Sequence, residues 1–484
     1  MRPSLPALAA ALASTLAGGL VALAPVGASA ADTSPSPLVL TAPASTTLDA
    51  YGRRVYLDLG AALEAPNGSF ELWSHRSDYA QQITTVWKHG DQSTTLPAGT
   101  MKSFAGLAKF LHVKIVDRTG AVAYERDLRT CLDGEAVRVQ PDGAAHSPYP
   151  YGCPWNPFTV GSVQGIASGW AVRVPTGFRG VKLPSGRYDV TLSINPAYRT
   201  LFGIADADGT RTVQVRVVRD STGGQQSTAT AAPQARRTTS APVSPRGSAP
   251  TGRQLTAAPE GPVPDLASLP AFGIGISHDG NHLQFAATVW NAGSSPLVVD
   301  GFRRTGEDLM DAYQYFYDAD GNQTGYTPVG GMEWDPRPTH QHWHFQDFAR
   351  YRLLDASQTG VRRSKKEAFC LANTDAVDFT VPFATWNPDN TDLHTACGDH
   401  NALAVREVLE TGSGDTYAQY RAGQSFSLTG LPNGTYYISV EANPDGRLVE
   451  AVSANNVSLR EVTIGGTDGA RTVQVLPVGR IHAH

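Results

Sequence analysis

The residues best suited to chemistry in this 484-residue chain are His340, His342 and His344, in the run His-Gln-His-Trp-His. Neutral imidazole is the commonest protein ligand for borderline divalent metals. Alternate positions of an extended segment face one side. On a straight strand rising about 3.3 Å per residue, the outer Cα atoms stand roughly 13 Å apart. Three rings then reach one ion only where the chain bends, and Pro336 and Pro338 just upstream favour such an approach. Three imidazoles without a thiolate suit Cu(II) or Zn(II), copper binding more tightly in the Irving–Williams order. A solvated run of histidines with no metal is the competing reading, and the flanking Trp343 and Phe345 weigh against it. A hydrolytic or dioxygenase metal site is the other chemistry the triplet allows. The terminal His482 and His484 are expected to be a frayed tail.

The elements that must position these histidines are β-strands. Arg187–Ile194, Thr435–Ala442, Phe285–Trp290 and Arg211–Val217 alternate apolar and polar residues at period two. Asn67-Gly68, Asp208-Gly209, Asp320-Gly321 and Asn433-Gly434 are turn signals. The chain also repeats itself. Leu183-Pro-Ser-Gly-Arg-Tyr188 followed by Asn195-Pro196 matches Leu431-Pro-Asn-Gly-Thr-Tyr436 followed by Asn443-Pro444 at identical spacing. Upstream, a strand ending in Asp117 and leading to Cys131 matches one ending in Asp355 and leading to Cys370. The sequence therefore predicts a mainly β protein with two β-sandwich-like domains related by an internal duplication. Residues 31–220 form the first, without the histidines, and 263–484 the second. Between them, 221–262 is rich in Ser, Thr, Ala and Pro and reads as a disordered linker.

Residues 1–30 read as a secretory signal, with Arg2, an Ala/Leu-rich stretch and the cleavage site Ala28-Ser29-Ala30. A secreted protein fits four cysteines in an oxidising compartment. Four cysteines allow three connectivities, and the repeat selects Cys131 with Cys153 and Cys370 with Cys397. The run His146–Trp155 is then read as a disulfide-anchored loop, with a binding loop as the alternative. A net charge of −5 excludes a bulk electrostatic binder of nucleic acid. No segment after the signal approaches the roughly 20 apolar residues of a membrane span.

From near Pro264 to about Asn456 the chain resembles the lysyl oxidase family of copper amine oxidases. The segment His340-Gln-His-Trp-His-Phe-Gln-Asp-Phe-Ala-Arg350 is similar to the family's copper-binding run, which implies His340, His342 and His344 as the copper(II) ligands. The family's second hallmark is lysine tyrosylquinone, made from the protein's own side chains. Its lysine precedes a Phe-Cys-Leu element, which implies Lys366 in Lys366-Glu-Ala-Phe-Cys-Leu371. Its tyrosine ends an Asp-Thr-Tyr triplet, which implies Tyr417. The resemblance thus implies oxidation of primary amines, peptidyl lysine first among them, by dioxygen, with aldehyde, ammonia and hydrogen peroxide as products. Asp347 is the first candidate for the base that removes the substrate proton. Read without the resemblance, Lys366 is one charge in a basic run, Tyr417 an ordinary strand tyrosine and Asp347 a turn carboxylate. The stretch Asp378–Gly398 departs from the family pattern. A non-catalytic extracellular protein that binds copper or a surface is the alternative function.

Overall fold

In a computed structural model, the structure describes residues 35–52, 54–174, 180–219, 249–318, 320–337, 341–364, 368–387, 395–418 and 423–479. The signal segment, residue 220, residues 221–248 of the linker and the terminal histidines lie outside the described residues. From Ser36 onward the chain is one compact unit. It is mainly β, as its alternating patterns predict, with two short helices, Pro196–Phe202 and Asp206–Gly209, among the described residues. Pro196 opens the first helix, where its missing N–H costs nothing, and Gly203 closes it with φ 68°.

Each half consists of three sheets, and the strand orders correspond. In the N-terminal half the first sheet runs Val39–Thr41, Ala62–Glu64, Trp170–Arg173, Ala136–Arg138. Its counterpart runs Leu266–Ser268, His282–Asn291, Ser413–Tyr417, Asp375–Ala376. The second sheet, Gly161–Ile166, Phe70–His75, Thr84–His89, Gln92–Thr95, corresponds to Ala404–Leu409, Leu297–Arg303, Leu309–Tyr317, Gln323–Asp335. In the third, Thr210–Arg219, Gly186–Ile194, Leu107–Asp117, Val122–Thr130 corresponds to Val457–Thr467, Gly434–Ala442, Ala349–Leu354, Gly360–Arg363. Local details repeat as well. The hydroxyls of Tyr188 and Tyr436 each donate 2.8 Å bonds to the carbonyls of Pro184 and Pro432. The amides of Asn195 and Asn443 donate to Phe110 and Phe348, both at 2.8 Å. This agreement of order, register and turn supports the duplication read from the sequence. The halves differ at their sheet edges. The third sheet continues past Thr210–Arg219 to the parallel strand Ser45–Tyr51 in one half, and past Val457–Thr467 to the antiparallel Ala470–Val475 in the other. His342–Phe345, added to the edge of the second sheet beside Gln323–Asp335, has no strand counterpart among the described residues of the N-terminal half.

Each half packs its own core. Phe70, Phe110, Val113, Ile115 and Val190 are fully buried in the first, and Phe285, Leu353, Ile438 and Val440 in the second. Two smaller clusters bridge the halves. Phe158 packs with Trp290 and Val377, and Tyr149 and Val163 pack with Phe379. Both disulfides form as the repeat selects, Cys131–Cys153 and Cys370–Cys397. The described end of the expected linker is ordered. The Leu255 amide donates to Tyr326 and the Tyr326 amide to Arg253, at 2.8 and 2.9 Å. The C-terminal half thus gains structure upstream of position 263, because the edge strand Gln323–Asp335 has free backbone groups to satisfy.

Candidate metal and tyrosine site

His342, Trp343, His344 and Phe345 form the added strand, paired with Asp335, Trp334, Glu333 and Met332. Trp343 and Phe345 point into the core and are essentially inaccessible, which fixes the opposite face of the strand for the histidines. His344 is itself 1% exposed, and its ring centroid lies 4.7 Å from that of His342 with the planes at 73°. His344 Nδ1 faces Asp335 Oδ2 at 3.4 Å. A carboxylate at Nδ1 orients the ring and directs Nε2 to a metal, the usual outer arrangement around ligating histidines. The donor set therefore fits a borderline metal: two converging imidazoles, one oriented by a buried carboxylate, and all four cysteines committed to disulfides. His340 lies outside the described residues.

The strand is tied to the segment that follows Lys366. Phe345 and Phe369 exchange both backbone hydrogen bonds, at 2.7 and 2.9 Å. The Phe369 ring meets Tyr417 edge-on, with centroids 4.6 Å apart. Tyr417 ends the strand Ser413–Tyr417 and is half-buried. Desolvation pushes its phenol well above the usual pKa, reinforced by the charges of Asp415 and Glu407, while a hydrogen bond from the Cys370 backbone amide opposes the shift. The phenol oxygen thus sits at the backbone of Cys370, four positions after Lys366 in the chain. Lys366 itself lies outside the described residues. Of the sequence-predicted residues, His342, His344 and Tyr417 are brought to the two flanks of one element, Phe369–Cys370.

Asp347 is placed differently. It is partly exposed, with φ 57°, and pairs with Arg447 at 3.4 Å in a surface chain that continues through Asp445 to Arg350. Its left-handed backbone is scaffold geometry, because Lys109, at the equivalent position in a bulge of the strand Leu107–Asp117, has φ 54°. Three further residues were not singled out in the sequence. Asp335 and Glu407 carried no local signal. Asp415 did carry one: it stands two residues before Tyr417, so period two puts both side chains on one face of the strand. The loop His146–Trp155 is the disulfide-anchored loop expected. Tyr149 is buried and donates to Glu71 at 2.9 Å, while Trp155 at its end is 58% exposed.

A mainly β domain that carries paired imidazoles and a half-buried tyrosine on either side of one disulfide-linked segment defines the class. Residues 319–473 match the family model described as lysyl oxidase. The chain is 32% identical over 135 residues to the rat protein-lysine 6-oxidase, a stretch that covers 28% of this chain and 29% of the relative. It is 31% identical over 135 residues to the pig protein-lysine 6-oxidase, covering 28% and 48%. It is 32% identical over 127 residues to human lysyl oxidase homolog 1, covering 26% and 19%. The chain thus spans less than half the length of these relatives. Within that span, residues 319–473 of the C-terminal half are similar to the lysyl oxidase family.

Proposed function

We propose that the protein is a secreted, copper-dependent amine oxidase that converts primary amines, peptidyl lysine among them, to aldehydes with lysine tyrosylquinone as cofactor. The observation that carries the reading is the convergence at Phe369–Cys370. That element shares a backbone ladder with the residue after His344, touches Tyr417 through both ring and amide, and follows Lys366 by a few residues. His340, His342 and His344 would hold copper(II), which would supply a Lewis acid and one-electron acceptor for oxidising the phenol.

Cofactor formation balances as one Tyr417 ring, one Lys366 amine and two dioxygen molecules giving the cross-linked quinone, one water and one hydrogen peroxide. The ring loses two C–H bonds and its phenol O–H; it gains one C–N bond and one new oxygen, and both the old and the new oxygen end as C=O. In turnover, amine, dioxygen and water give aldehyde, ammonia and hydrogen peroxide. The chain must supply a proton acceptor for the carbon next to the substrate nitrogen. Asp347 was the first candidate, and the geometry favours Asp415, whose buried charge already acts on the Tyr417 phenol. Burial of Phe369, Phe348 and Tyr351 around the tyrosine keeps bulk water from the reacting ring.

The test is a peptide map of copper-loaded, aerated protein. A covalent Lys366–Tyr417 peptide is expected, with peroxide release from alkylamines or peptidyl lysine that disappears in Lys366→Arg. Two unmodified peptides would refute the proposal. Asp415→Asn is expected to depress kcat/KM by about 100-fold or more, the scale of a lost general base, while Asp347→Asn stays near the parent. The reverse ranking would return the role to Asp347.

A further inference from the structure

The strand that ends in Tyr417 has two faces. Asp415 and Tyr417 point to the site, and Thr416 and Gly414 point away. The face that points away is covered by the N-terminal half of the same chain. Asn156, 5% exposed, follows the disulfide-anchored loop and reaches across with both hydrogens of its amide. One goes to Thr288 Oγ1 at 2.9 Å and the other to Asp375 Oδ2 at 3.0 Å. These two acceptors hold Thr416: its hydroxyl lies 2.7 Å from that of Thr288 and donates to Asp375 Oδ2 at 3.0 Å. Asn156 Oδ1 accepts the Phe158 amide at 2.9 Å, so the side chain has no freedom to turn. A closed network of three buried side chains and the half-buried Thr416 therefore connects the N-terminal half to the residue next to the cofactor tyrosine.

The surroundings are built for this contact. The Val160 amide donates to Val377 at 2.7 Å, the Phe379 amide to Gly161 at 3.1 Å, and the Thr159 hydroxyl to Ala376 at 2.9 Å. A Cβ at Gly161 would overlap the Asp378 carboxylate, and one at Gly414 would lie 2.7 Å from Thr288 and 2.9 Å from Val377. Trp386 packs against Trp73 and Tyr149. The C-terminal half's side of the contact, Asp375 to Asn387, overlaps the stretch that departs from the family pattern.

We infer that the N-terminal half is an intramolecular clamp on the cofactor strand, and that Asn156 is a positioning residue for Tyr417. It acts through the Thr288–Thr416–Asp375 network and touches neither metal nor substrate. This inference rests on the proposed role of Tyr417. Cross-linking requires the ring to meet an amine and a cation at once, and a strand end free to fray meets that condition for a smaller fraction of the time.

The experiment compares the full chain with Asn156→Asp and Asn387→Ala. Aspartate at 156 keeps the acceptor for Phe158, removes both donated bonds and sets a second carboxylate against Asp375. Asn387 is an equally buried asparagine of the same contact, donating to Tyr149 at 3.2 Å, with no part in the network. Three quantities are measured: copper stoichiometry, the rate of Lys366–Tyr417 cross-linking by mass and by quinone absorbance, and hydrogen exchange of the Ser413–Tyr417 amides in copper-free protein. Asn156→Asp is expected to bind copper as the parent does, cross-link about tenfold more slowly and exchange about tenfold faster at that strand, the scale of one lost buried hydrogen bond. Asn387→Ala is expected to melt earlier and change neither rate. If aspartate at 156 prevents folding, Thr288→Val, which removes the shared hydroxyl at constant volume, carries the same expectation.

Parent-like cross-linking and exchange in Asn156→Asp would overturn the inference, as would equal losses in Asn387→Ala. If the parent forms no cross-link, the amine oxidase reading fails. The exchange rates then decide the clamp alone: faster exchange in Asn156→Asp only upholds it, and unchanged exchange overturns it.

Discussion

Replacing Asp375 with asparagine should flatten a specific part of the stability–pH curve. Asp375 is 6% exposed, and desolvation pushes its carboxyl from 3.8 up to about 6, against the hydrogen bonds from Asn156 and Thr416 and the backbone amides of Asn156 and Trp155. The folded state holds this proton more tightly than the unfolded chain does. The stabilisation is therefore complete below pH 3.8 and is lost as the pH rises through about 6. A shift of about two pH units at 1.36 kcal/mol each gives a loss of about 3 kcal/mol across that window. Asparagine does not ionise there. Its carbonyl can keep the bonds from Asn156 and Thr416, but its NH2 then faces the backbone amides of Trp155 and Asn156. That conflict, on the order of 1–3 kcal/mol, offsets part or all of the gain at pH 7. The diagnostic is therefore the difference between variant and parent, which should move in the variant's favour by about 3 kcal/mol between pH 4 and pH 7. Urea unfolding of the disulfide-intact proteins at four pH values in that range measures it. A difference that stays constant with pH would refute the claim that Asp375 is a desolvated carboxylate in this network.

Asp335→Asn should weaken copper binding by about 10–100-fold while leaving the fold intact, because the oriented His344 ring loses its ionic partner. Competition titration against a chelator reads this, and unchanged affinity would remove Asp335 from the site. Arg406→Ala should destabilise the C-terminal half by about 3–5 kcal/mol, because Asp300, 1% exposed and bound by both Arg406 Nε and Nη2, would be left as a buried charge without its main partner. Denaturant midpoints test it. Tyr436→Phe and Tyr188→Phe should each cost about 1 kcal/mol, since each deletes the same turn-closing hydrogen bond in one copy of the repeat. A large difference between the two would argue that the copies no longer use the turn alike.

Much of this architecture was readable from the sequence because it depends on short-range order. The alternation in Arg187–Ile194 and Thr435–Ala442, and the shared Leu-Pro-x-Gly-x-Tyr turn, are local signals, and both became central strands of equivalent sheets. The histidine triplet was equally local, and two of its members face each other as period two requires. Asp335, Glu407 and Asn156 were not legible, because each reaches the site through tertiary contact. Asp335 meets His344 through a strand pairing, and Asn156 meets Asp375 across 219 positions. Asp347 was proposed from its proximity to His344 in the chain. The turn at 347 sends its side chain to Arg447 instead, and Lys109, in a strand bulge at the equivalent position, repeats the left-handed backbone.

The repeat accounts for why one half carries the site. Strand pairing aligns Val172 with Gly414, because Ala136 pairs with Val172 as Asp375 pairs with Gly414, and each of Ala136 and Asp375 stands five positions after its half's first cysteine. Counting on from there, the N-terminal position matching Tyr417 is 175, a proline. The position matching Lys366 by distance from the cysteine is Asp127, which bonds His112 Nδ1 at 2.8 Å. The added histidine strand has no counterpart among the described residues of the first copy. The first half keeps its three sheets without these residues: Tyr417 stands two positions beyond Asp415, the counterpart of Arg173 at the end of the N-terminal strand, and the histidine strand is an addition at a sheet edge. What it has kept is the disulfide-anchored loop, and that loop delivers Asn156 to the back of the strand bearing Tyr417. A copy that served only as bulk would have no need to direct a fully satisfied buried amide at the neighbour of Tyr417.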